Sequence, residues 1–255
     1  MKAYETTTKN ENRSERYHHV TTKDIGDTFE RHGFNLVKYG QSKTKNELDQ
    51  SHAKHLARFR STVPNLKIGD SVPELIIQND GLGLRSLRIS YGLFRLVCSN
   101  GLVIGNKLYD IRLNHDKNIM TNLDRVIPEL LSSADHLQSL VQDFQAIETT
   151  EKQRLDLAYS ASLVQIQNSS LNIQNIDLNQ YLSVRRWDDN KTDAWTVFNR
   201  IQENVFRKQI RALILNEKGD QEFQNLKRVG ENSQRALEVN KQLWTSATEV
   251  LKIGA

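Results

Sequence analysis

The stretch LRSLRISYGLFRLVCSNGLVIGNKLYDIRLNH, residues 84–115, decides the fold of this chain. Many of its side chains alternate between apolar and polar with a period of two, which is typical of β-strands. The apolar positions change parity near Gly92, and this change predicts a β-bulge or a bend there. Asn100-Gly101 lies between two apolar runs and predicts a tight hairpin turn. The stretch therefore predicts the spine of a twisted antiparallel sheet.

The residues before this stretch predict a short helix and three further strands. A hydroxyl cap followed by an acid at residues 21–24 marks the start of a helix, and Gly33 marks its end. Alternating or apolar runs bounded by polar and turn-forming residues predict strands at 34–39, 55–60 and 75–77.

After residue 122 the apolar spacing changes to three and four residues, which is the period of an amphipathic helix. A first helix is expected from Leu123 through Ile147, with Pro128 in its first turn or kinking its start. Thr150 and Gln153 form a capping-box pattern that opens a second helix. A third helix shows one apolar face, formed by Trp195, Phe198, Ile201, Val205 and Phe206. The buried face of a last helix is expected to contain Leu237, Asn240, Leu243, Trp244, Ala247 and Leu251.

These patterns predict an α+β fold, in which an N-terminal twisted antiparallel sheet with a short helix precedes a C-terminal helical layer. Residues 1–16 are polar and are expected to form a disordered tail. A basic, β-rich domain is expected at 17–118, with an α-helical region at 119–255 packed on or beside it. Polar stretches at 167–180 and 216–230 are expected to be loops or breaks between the helices.

Composition restricts the class of protein. Of the 255 residues, 37% are hydrophobic, and no run reaches the roughly 20 apolar residues that cross a bilayer. The N-terminal residues lack the apolar core of a secretory signal, and a single cysteine allows no intrachain disulfide. We therefore expect a soluble, cytoplasmic protein without membrane contact.

Positive charge is concentrated in the first half of the chain. Residues 1–118 contain 19 Lys and Arg against 13 Asp and Glu, whereas residues 119–255 contain 16 against 18. This asymmetry is consistent with an anion-binding surface on the first module, and equally with a solvated basic face that binds no ligand.

No enzymatic motif is complete in the sequence. There is no Gly-x-Ser-x-Gly elbow, no phosphate-binding loop and no dinucleotide fingerprint. His18-His19 and His52-x-x-His55 suggest a metal site only if the fold brings them together, and His115 beside Asp116 is either a general base or a strand-end residue. We expect no catalytic residue, cofactor or metal. We expect a structural role in the sheet, and no chemical role, for Gly92, Cys98, Asn100, Gly101 and His115.

A nucleic-acid surface has more support. Predicted neighbouring strands display Arg58, Arg60, Arg85, Arg88, Arg95 and Arg112. Aromatic residues are interleaved with them, namely Phe59, Tyr91, Phe94 and Tyr109. Such a face binds phosphates and stacks bases without reading sequence, and Lys43 and Lys45 in a polar arm add further cations. The alternative is that the aromatics form the core and the arginines line a solvent edge.

The sequence GLFRLVCSNGLVIG at residues 92–105, followed by a strand ending in histidine, resembles the phage- and plasmid-associated family of domain-of-unknown-function proteins labelled phage/plasmid-like protein. The likeness extends to YHHVT at 17–21, Arg185-Arg186, the WTVFNRIQEN segment at 195–204 and Asn240-x-x-Leu243-Trp244. One departure is QNDG at 78–81, where the family shows a Ser-His-Asp-Gly-like turn, so no histidine role carries over there.

The resemblance implies a setting rather than an activity: phage, prophage or plasmid genomes, a bacterial host cytoplasm, and proximity to recombination or replication. In that setting we expect a non-catalytic accessory protein of DNA metabolism that binds single-stranded DNA, anneals it and forms a homo-oligomer. The alternative is a protein-binding inhibitor of a host defence system or nuclease, with a host or phage protein as its partner.

Overall fold

The computed structural model describes residues 3–44, 47–63, 71–82, 85–95, 101–102, 110–167, 169–229 and 234–253. It contains an N-terminal antiparallel sheet, C-terminal helices and a second, smaller sheet, which confirms the α+β fold class. The chain divides into two compact units, and the boundary falls within a helix at residues 137 and 138. None of the helices in the described ranges is both long enough and apolar enough to cross a membrane.

The first unit is a sheet covered on one face by two helices. Its elements in chain order are α1 (Thr22–Arg31), β1 (Phe34–Gln41), β2 (His55–Ser61), β3 (Ser71–Asn79), β4 (Leu87–Arg95), β5 (Gly101–Leu102), β6 (Asp110–Leu113) and α2 (Ile119–Ser132). Strands β1 to β4 are neighbours in sequence order, and β6 pairs with β4. All described pairs are antiparallel.

The core side of this sheet follows from strand alternation. Ala57, Ile77 and Ile89 are paired across β2, β3 and β4, and all three are buried. Phe29 of α1 packs its ring edge-on against Phe59 of the same row, at a centroid distance of 5.1 Å. The N-cap of α1 is Thr21, whose hydroxyl accepts the Asp24 N–H, as predicted.

The predicted bulge at Gly92 is wrong, because β3 and β4 pair without a shift of register and Gly92 lies opposite Glu74. Positions of both parities are buried in the central strands, including Leu56 and Ile76 on the face opposite the core row. A strand buried on both faces carries consecutive apolar residues, which imitates a change of parity in the sequence. The bulge is instead in β1, between Leu36 and Lys38.

The N-terminal residues differ from the expected disordered tail. Ala3, Thr6 and Asn10 are buried, and the Lys23 N–H donates to the Tyr4 carbonyl at 3.0 Å. The Tyr4 ring also meets Tyr39 of β1 edge-on at 5.6 Å. Aromatic packing and backbone hydrogen bonds therefore order a segment whose polar composition predicts mobility.

The second unit is built from helices with a three-stranded sheet. Its elements are α3 (Ala134–Ala146, which begins in the first unit), α4 (Glu151–Ile166), β7 (Asn172–Ile176), α5 (Asn179–Leu182), α6 (Ala194–Arg207), β8 (Arg211–Leu215), β9 (Gln221–Asn225) and α7 (Gln234–Leu251). The strands are ordered β7-β8-β9, and a short 3-10 turn occupies Trp187–Asp189.

An aromatic cluster joins three helices of this unit. The ring of Phe144 stacks on Trp244 at 4.6 Å, and Phe198 meets Trp244 edge-on at 5.5 Å. The capping box of Thr150 and Gln153 is present at the start of α4, as predicted. The apolar faces predicted for α6 and α7 are buried, because they supply this core.

Two other predictions for the second half are wrong. The single helix expected at 123–147 is two helices, α2 and α3, with a break at Ser133, and Pro128 lies inside α2 rather than in a first turn. Ser133 donates its hydroxyl to the Leu130 carbonyl, a local bond that competes with helix continuation. The expected loop at 167–180 contains β7 and the start of α5, and the break in the helical pattern at 216–230 contains β9 and the preceding turn, with Gly219 at φ 85°.

Substituting Gly26 tests the close packing of α1 on β2. Alanine is favoured over glycine in a helix by about 1 kcal/mol, but here an added Cβ would lie 2.7 Å from the Tyr4 hydroxyl and 2.9 Å from the Phe59 ring. We therefore expect Gly26→Ala to lower the free energy of unfolding by about 1–3 kcal/mol, measured by urea denaturation. The control is Ser139→Ala at an exposed position of α3. An unchanged or raised stability of Gly26→Ala would contradict this packing.

Candidate nucleic-acid interface

One face of the N-terminal sheet is basic. Strand pairing puts Lys38 opposite Arg58, Arg60 opposite Glu74, and Arg88 opposite Arg112. By strand alternation these six residues belong to the face of the sheet opposite the core row. We call this the basic face and define it by Lys38, Arg58, Arg60, Arg88 and Arg112. Strand register gives this face two acidic positions, Glu74 opposite Arg60 and Asp110 opposite Ser90.

A buried ion-pair triad lies at the centre of this face. Arg58 Nε lies 2.7 Å from Glu74 Oε2, and Arg60 Nη2 lies 2.7 Å from Glu74 Oε1. Glu74 is 0% exposed and Arg58 only 4%, whereas Arg60 keeps 32% of its side chain exposed. A buried carboxylate requires such partners, and two guanidinium groups on one carboxylate leave one net positive charge.

The triad separates the roles of the two arginines. Arg58 is buried and paired, so its guanidinium serves the sheet rather than a ligand. One edge of the Arg60 guanidinium donates to Glu74, and part of the Arg60 side chain remains exposed to solvent. The sequence offers no way to make this distinction, because both arginines show the same strand parity.

The remaining predicted cations are spread over several places. Arg112 is exposed and Arg88 is half-buried, on paired positions of β6 and β4. Arg85 is exposed before β4, near enough to Asp80 to influence that carboxyl group, and Lys43 is exposed after β1. Arg95 ends β4 opposite Ser71, at a backbone position in the row of Leu93 and Tyr91. Lys45 lies outside the described residues.

Lys38 is a member of the basic face that sequence reasoning missed. The bulge in β1 changes the alternation after Leu36 and brings Lys38 opposite Arg58. A plain alternation from Phe34 assigns Lys38 to the row of the buried Phe34 instead. The register shift between Leu36 and Lys38 determines the face on which Lys38 lies. The sequence of β1 has no glycine or proline at that point that would predict the shift.

Of the aromatic residues expected to stack bases, Phe94 lies opposite Val72, at a backbone position in the alternation of the basic face, whereas Phe59 and Tyr91 lie in the core row. Phe59 and Tyr91 are both 0% exposed and belong to the core row, on the face opposite the basic one. The expectation of base stacking by these two residues is therefore wrong, because strand alternation sends neighbouring residues to opposite faces. Tyr109 lies outside the described residues.

The residues expected to serve the shape of the sheet are placed as follows. Gly92 is buried opposite Glu74, and Gly101 begins β5. His115 follows β6, and its carbonyl accepts the His18 N–H at 2.8 Å. Cys98 and Asn100 lie outside the described residues.

His19 lies close enough to interact with three other histidines of the first unit, and we call the four the histidine cluster: His19, His52, His55 and His115. Carbonyl oxygens accept only, so His19 donates its Nε2–H to Thr6 O at 2.6 Å and His52 donates its Nε2–H to Thr8 O at 2.8 Å. Both bonds tie the N-terminal segment to the unit. Each neutral ring therefore keeps its lone pair on Nδ1.

His55 extends this hydrogen bonding into the sheet. Its Nδ1–H donates to Ala53 O at 2.8 Å, so its Nε2 accepts from the Thr22 hydroxyl at 2.6 Å. The same hydroxyl oxygen accepts from Asn79 Nδ2 at 2.9 Å. Burial lowers the pKa of His55, which keeps the ring neutral and the chain of bonds intact. The start of α1 is thereby joined to β2 and β3.

His115 has the most unusual environment of the four. Its ring packs on Tyr17 at 4.9 Å, and neither ring nitrogen has a hydrogen-bond partner in the described part of the chain. Burial, with a smaller contribution from His19, lowers the pKa of His115 to about 4. A general base works best with a pKa near the working pH, so this imidazole is a weak base for neutral-pH chemistry.

A metal site is not formed by this cluster. Among the described residues, no three His, Cys, Asp or Glu groups are arranged to hold a metal ion. The rings of His19 and His52 lie 6.1 Å apart, but each uses Nε2 for a backbone carbonyl. The arrangement suits structural hydrogen bonding better than ligation or proton transfer.

Comparison with known proteins places both units in one family. The model described as "Domain of unknown function (DUF932)" matches residues 9–244. The UPF0380 protein YafZ of Escherichia coli (strain K12) is 31% identical over 199 residues, 78% of this chain and 71% of the relative. The UPF0380 protein YfjQ of the same organism is 30% identical over 199 residues, with the same coverage of both chains. No solved structure matches the chain.

The histidine cluster predicts a pH dependence of stability. The unfolded chain binds a proton at His115 near the ordinary pKa of 6.5, but the folded chain does so only near 4. Protons therefore favour the unfolded state in this window, and the free energy of unfolding falls as the pH is lowered through it. Urea denaturation of the unmodified protein and of His115→Gln should show a shallower loss in the variant, by roughly 1–3 kcal/mol. An NMR titration in which His115 protonates near 6.5 would contradict this account.

Proposed function

The chain belongs to the DUF932 family, and from that premise we propose that it is a non-catalytic accessory protein of DNA metabolism that binds single-stranded DNA. The basic face is the surface that contacts the DNA, and annealing of complementary strands is the associated activity. The observation that carries the proposal is a set of four cations that stay at least partly exposed on one sheet face, around the buried Arg58–Glu74 pair: Lys38, Arg60, Arg88 and Arg112.

The geometry of the basic face suits a phosphate backbone. Lys38 on β1 and Arg112 on β6 lie four strand spacings apart, roughly 19 Å, with Arg60 and Arg88 on strands between them. A row of cations of this length spans a few nucleotides of an extended strand. Contacts to phosphate give affinity without sequence information, so this face binds single strands of any sequence.

Setting and assembly belong to the same proposal. The resemblance to phage/plasmid-like proteins supports a role in phage, prophage or plasmid biology, in the cytoplasm of a bacterial host. Every residue of β9 is exposed and this strand is at an edge of its sheet, which favours strand pairing between copies of the chain. A homo-oligomer formed in this way would present several basic faces to one DNA strand.

A second candidate function has its own observation. Tyr159 and Leu163 lie one helical turn apart on α4 and are about half exposed. Leu163 borders a groove with Gln242 of α7. Exposed apolar side chains at this spacing are typical of a protein-binding surface. This surface supports the alternative of an inhibitor that docks on a host defence protein or nuclease.

Salt dependence of binding tests the DNA proposal. We expect fluorescence polarisation to show binding of labelled oligothymidylate that weakens steeply between about 50 and 200 mM salt. Each lost phosphate contact lowers the slope of log K against log salt by roughly 0.7 for single strands, so Lys38→Gln with Arg112→Gln should lower it by roughly 1.4. Arg58 is left intact, because its removal would take the partner of Glu74 Oε2 out of the buried triad and destabilise the sheet.

The matched control for this experiment removes two cations elsewhere. Lys23→Gln with Lys152→Gln changes the net charge equally, at exposed positions of α1 and α4. This control should keep the unmodified slope. Absence of binding at low salt, or an equal loss of slope in the control, would refute the basic face as the DNA-binding surface.

A further inference from the structure

Trp187 is an exposed tryptophan in the second unit. It is 89% exposed on the 3-10 turn, whereas Trp195 and Trp244 are 7% and 5% exposed. Tryptophan is highly buried on average, and aromatic side chains are enriched in binding interfaces. Its position directly follows Arg185-Arg186, which belongs to the motifs of the family resemblance.

Buried groups of α6 hold the backbone on both sides of Trp187. Arg200 donates to the carbonyls of Asp189 at 2.5 and 3.0 Å, of Lys191 at 2.7 Å and of Leu182 at 3.5 Å. Asn204 Nδ2 donates to the carbonyls of Tyr181 and Ser183 at 2.8 and 2.9 Å. The turn is therefore pre-organised, and ligand contact with its tip costs little ordering entropy.

Two arginines directly precede the exposed tryptophan in the chain, and Asp188 and Asp189 follow it in the same turn. Arg186 Nη2 lies 2.9 Å and Arg185 Nε lies 3.7 Å from the same carboxylate oxygen of Glu203, which is only 4% exposed. Burial and the nearby Arg185 lower the pKa of Lys208, so a third cation lies close to the pair. Residues 185–208 contain six Lys and Arg against four Asp and Glu.

We infer that Trp187 stacks on a nucleobase of single-stranded DNA while Arg185 and Lys208 neutralise the adjoining phosphates. This inference rests on the proposed function and names a base-stacking residue outside the N-terminal sheet, in which Phe59 and Tyr91 are buried. Stacking on an aromatic ring accepts every base, and cations beside the ring match the phosphate that accompanies each base. Bases of a duplex are already stacked, so the site selects single strands.

The intrinsic fluorescence of the protein gives the first test. Because the other two tryptophans are buried, binding of oligothymidylate of about twelve nucleotides should quench mainly the water-exposed emission of Trp187. The quenching should disappear in Trp187→Phe. Quenching that persists in this variant would place the contact at another tryptophan and overturn the inference.

Affinity gives the second test. We expect Trp187→Ala to bind the oligothymidylate about five- to a hundred-fold more weakly, the range for loss of one stacked base. Trp187→Phe should retain most of the affinity, because it keeps an aromatic face. The control is Leu36→Ala, which removes an exposed apolar side chain from β1, in the row opposite the basic face, and should leave binding unchanged. An abasic oligonucleotide, which has phosphates but no bases, should bind the unmodified protein and Trp187→Ala equally.

The outcomes separate this inference from the proposed function. If the unmodified protein binds no oligonucleotide at low salt, both fail. If it binds with the steep salt dependence expected of the basic face but Trp187→Ala binds equally well, only the stacking role of Trp187 is refuted. Loss of affinity in Trp187→Ala for the abasic oligonucleotide as well would also refute stacking, because no base is present to stack.

Discussion

The carboxylate of Glu74, buried between Arg58 and Arg60, is the constraint on which the N-terminal sheet depends. A glutamate with no exposed surface is tolerated only when its charge is matched within hydrogen-bonding distance, and both arginines of β2 supply that match. The triad joins the two central strands β2 and β3 on the face opposite the hydrophobic row. Removing either arginine would take away the partner of one oxygen of the buried carboxylate.

The second unit also contains a buried glutamate that is paired with two arginines. Glu203 of α6 is buried and accepts from Arg186, with Arg185 close by, and this pairing fixes the turn that carries Trp187. In both units one buried acid holds two arginines, so the local charge stays positive while the backbone is held in place. Structural ion pairs and a surface suited to anions are therefore compatible.

The histidine cluster shows how polar residues that suggest chemistry serve architecture instead. Backbone carbonyls accept hydrogen bonds from the ring N–H groups of His19 and His52, and the Thr22 hydroxyl donates to His55. These bonds determine which ring nitrogen of each histidine is the donor. Burial lowers the pKa of His115 to about 4, so its ring is neutral at neutral pH. The hydrogen bonds of His19 and His52 to Thr6 and Thr8 tie the N-terminal segment to the rest of the unit, although its polar composition predicts a tail.

The sequence by itself determined those helices and strands that depend on interactions between residues close together in the chain. The caps at Thr21 and Thr150, the alternation of β2 and the apolar faces of α6 and α7 follow from neighbouring residues, because hydrogen bonds and periodicity act over a few positions. Tertiary structure alone decided the bulge that reorients Lys38, the partner of Arg58 and the exposure of Trp187. Each of these depends on a residue distant in the chain, and the sequence does not state which distant groups meet.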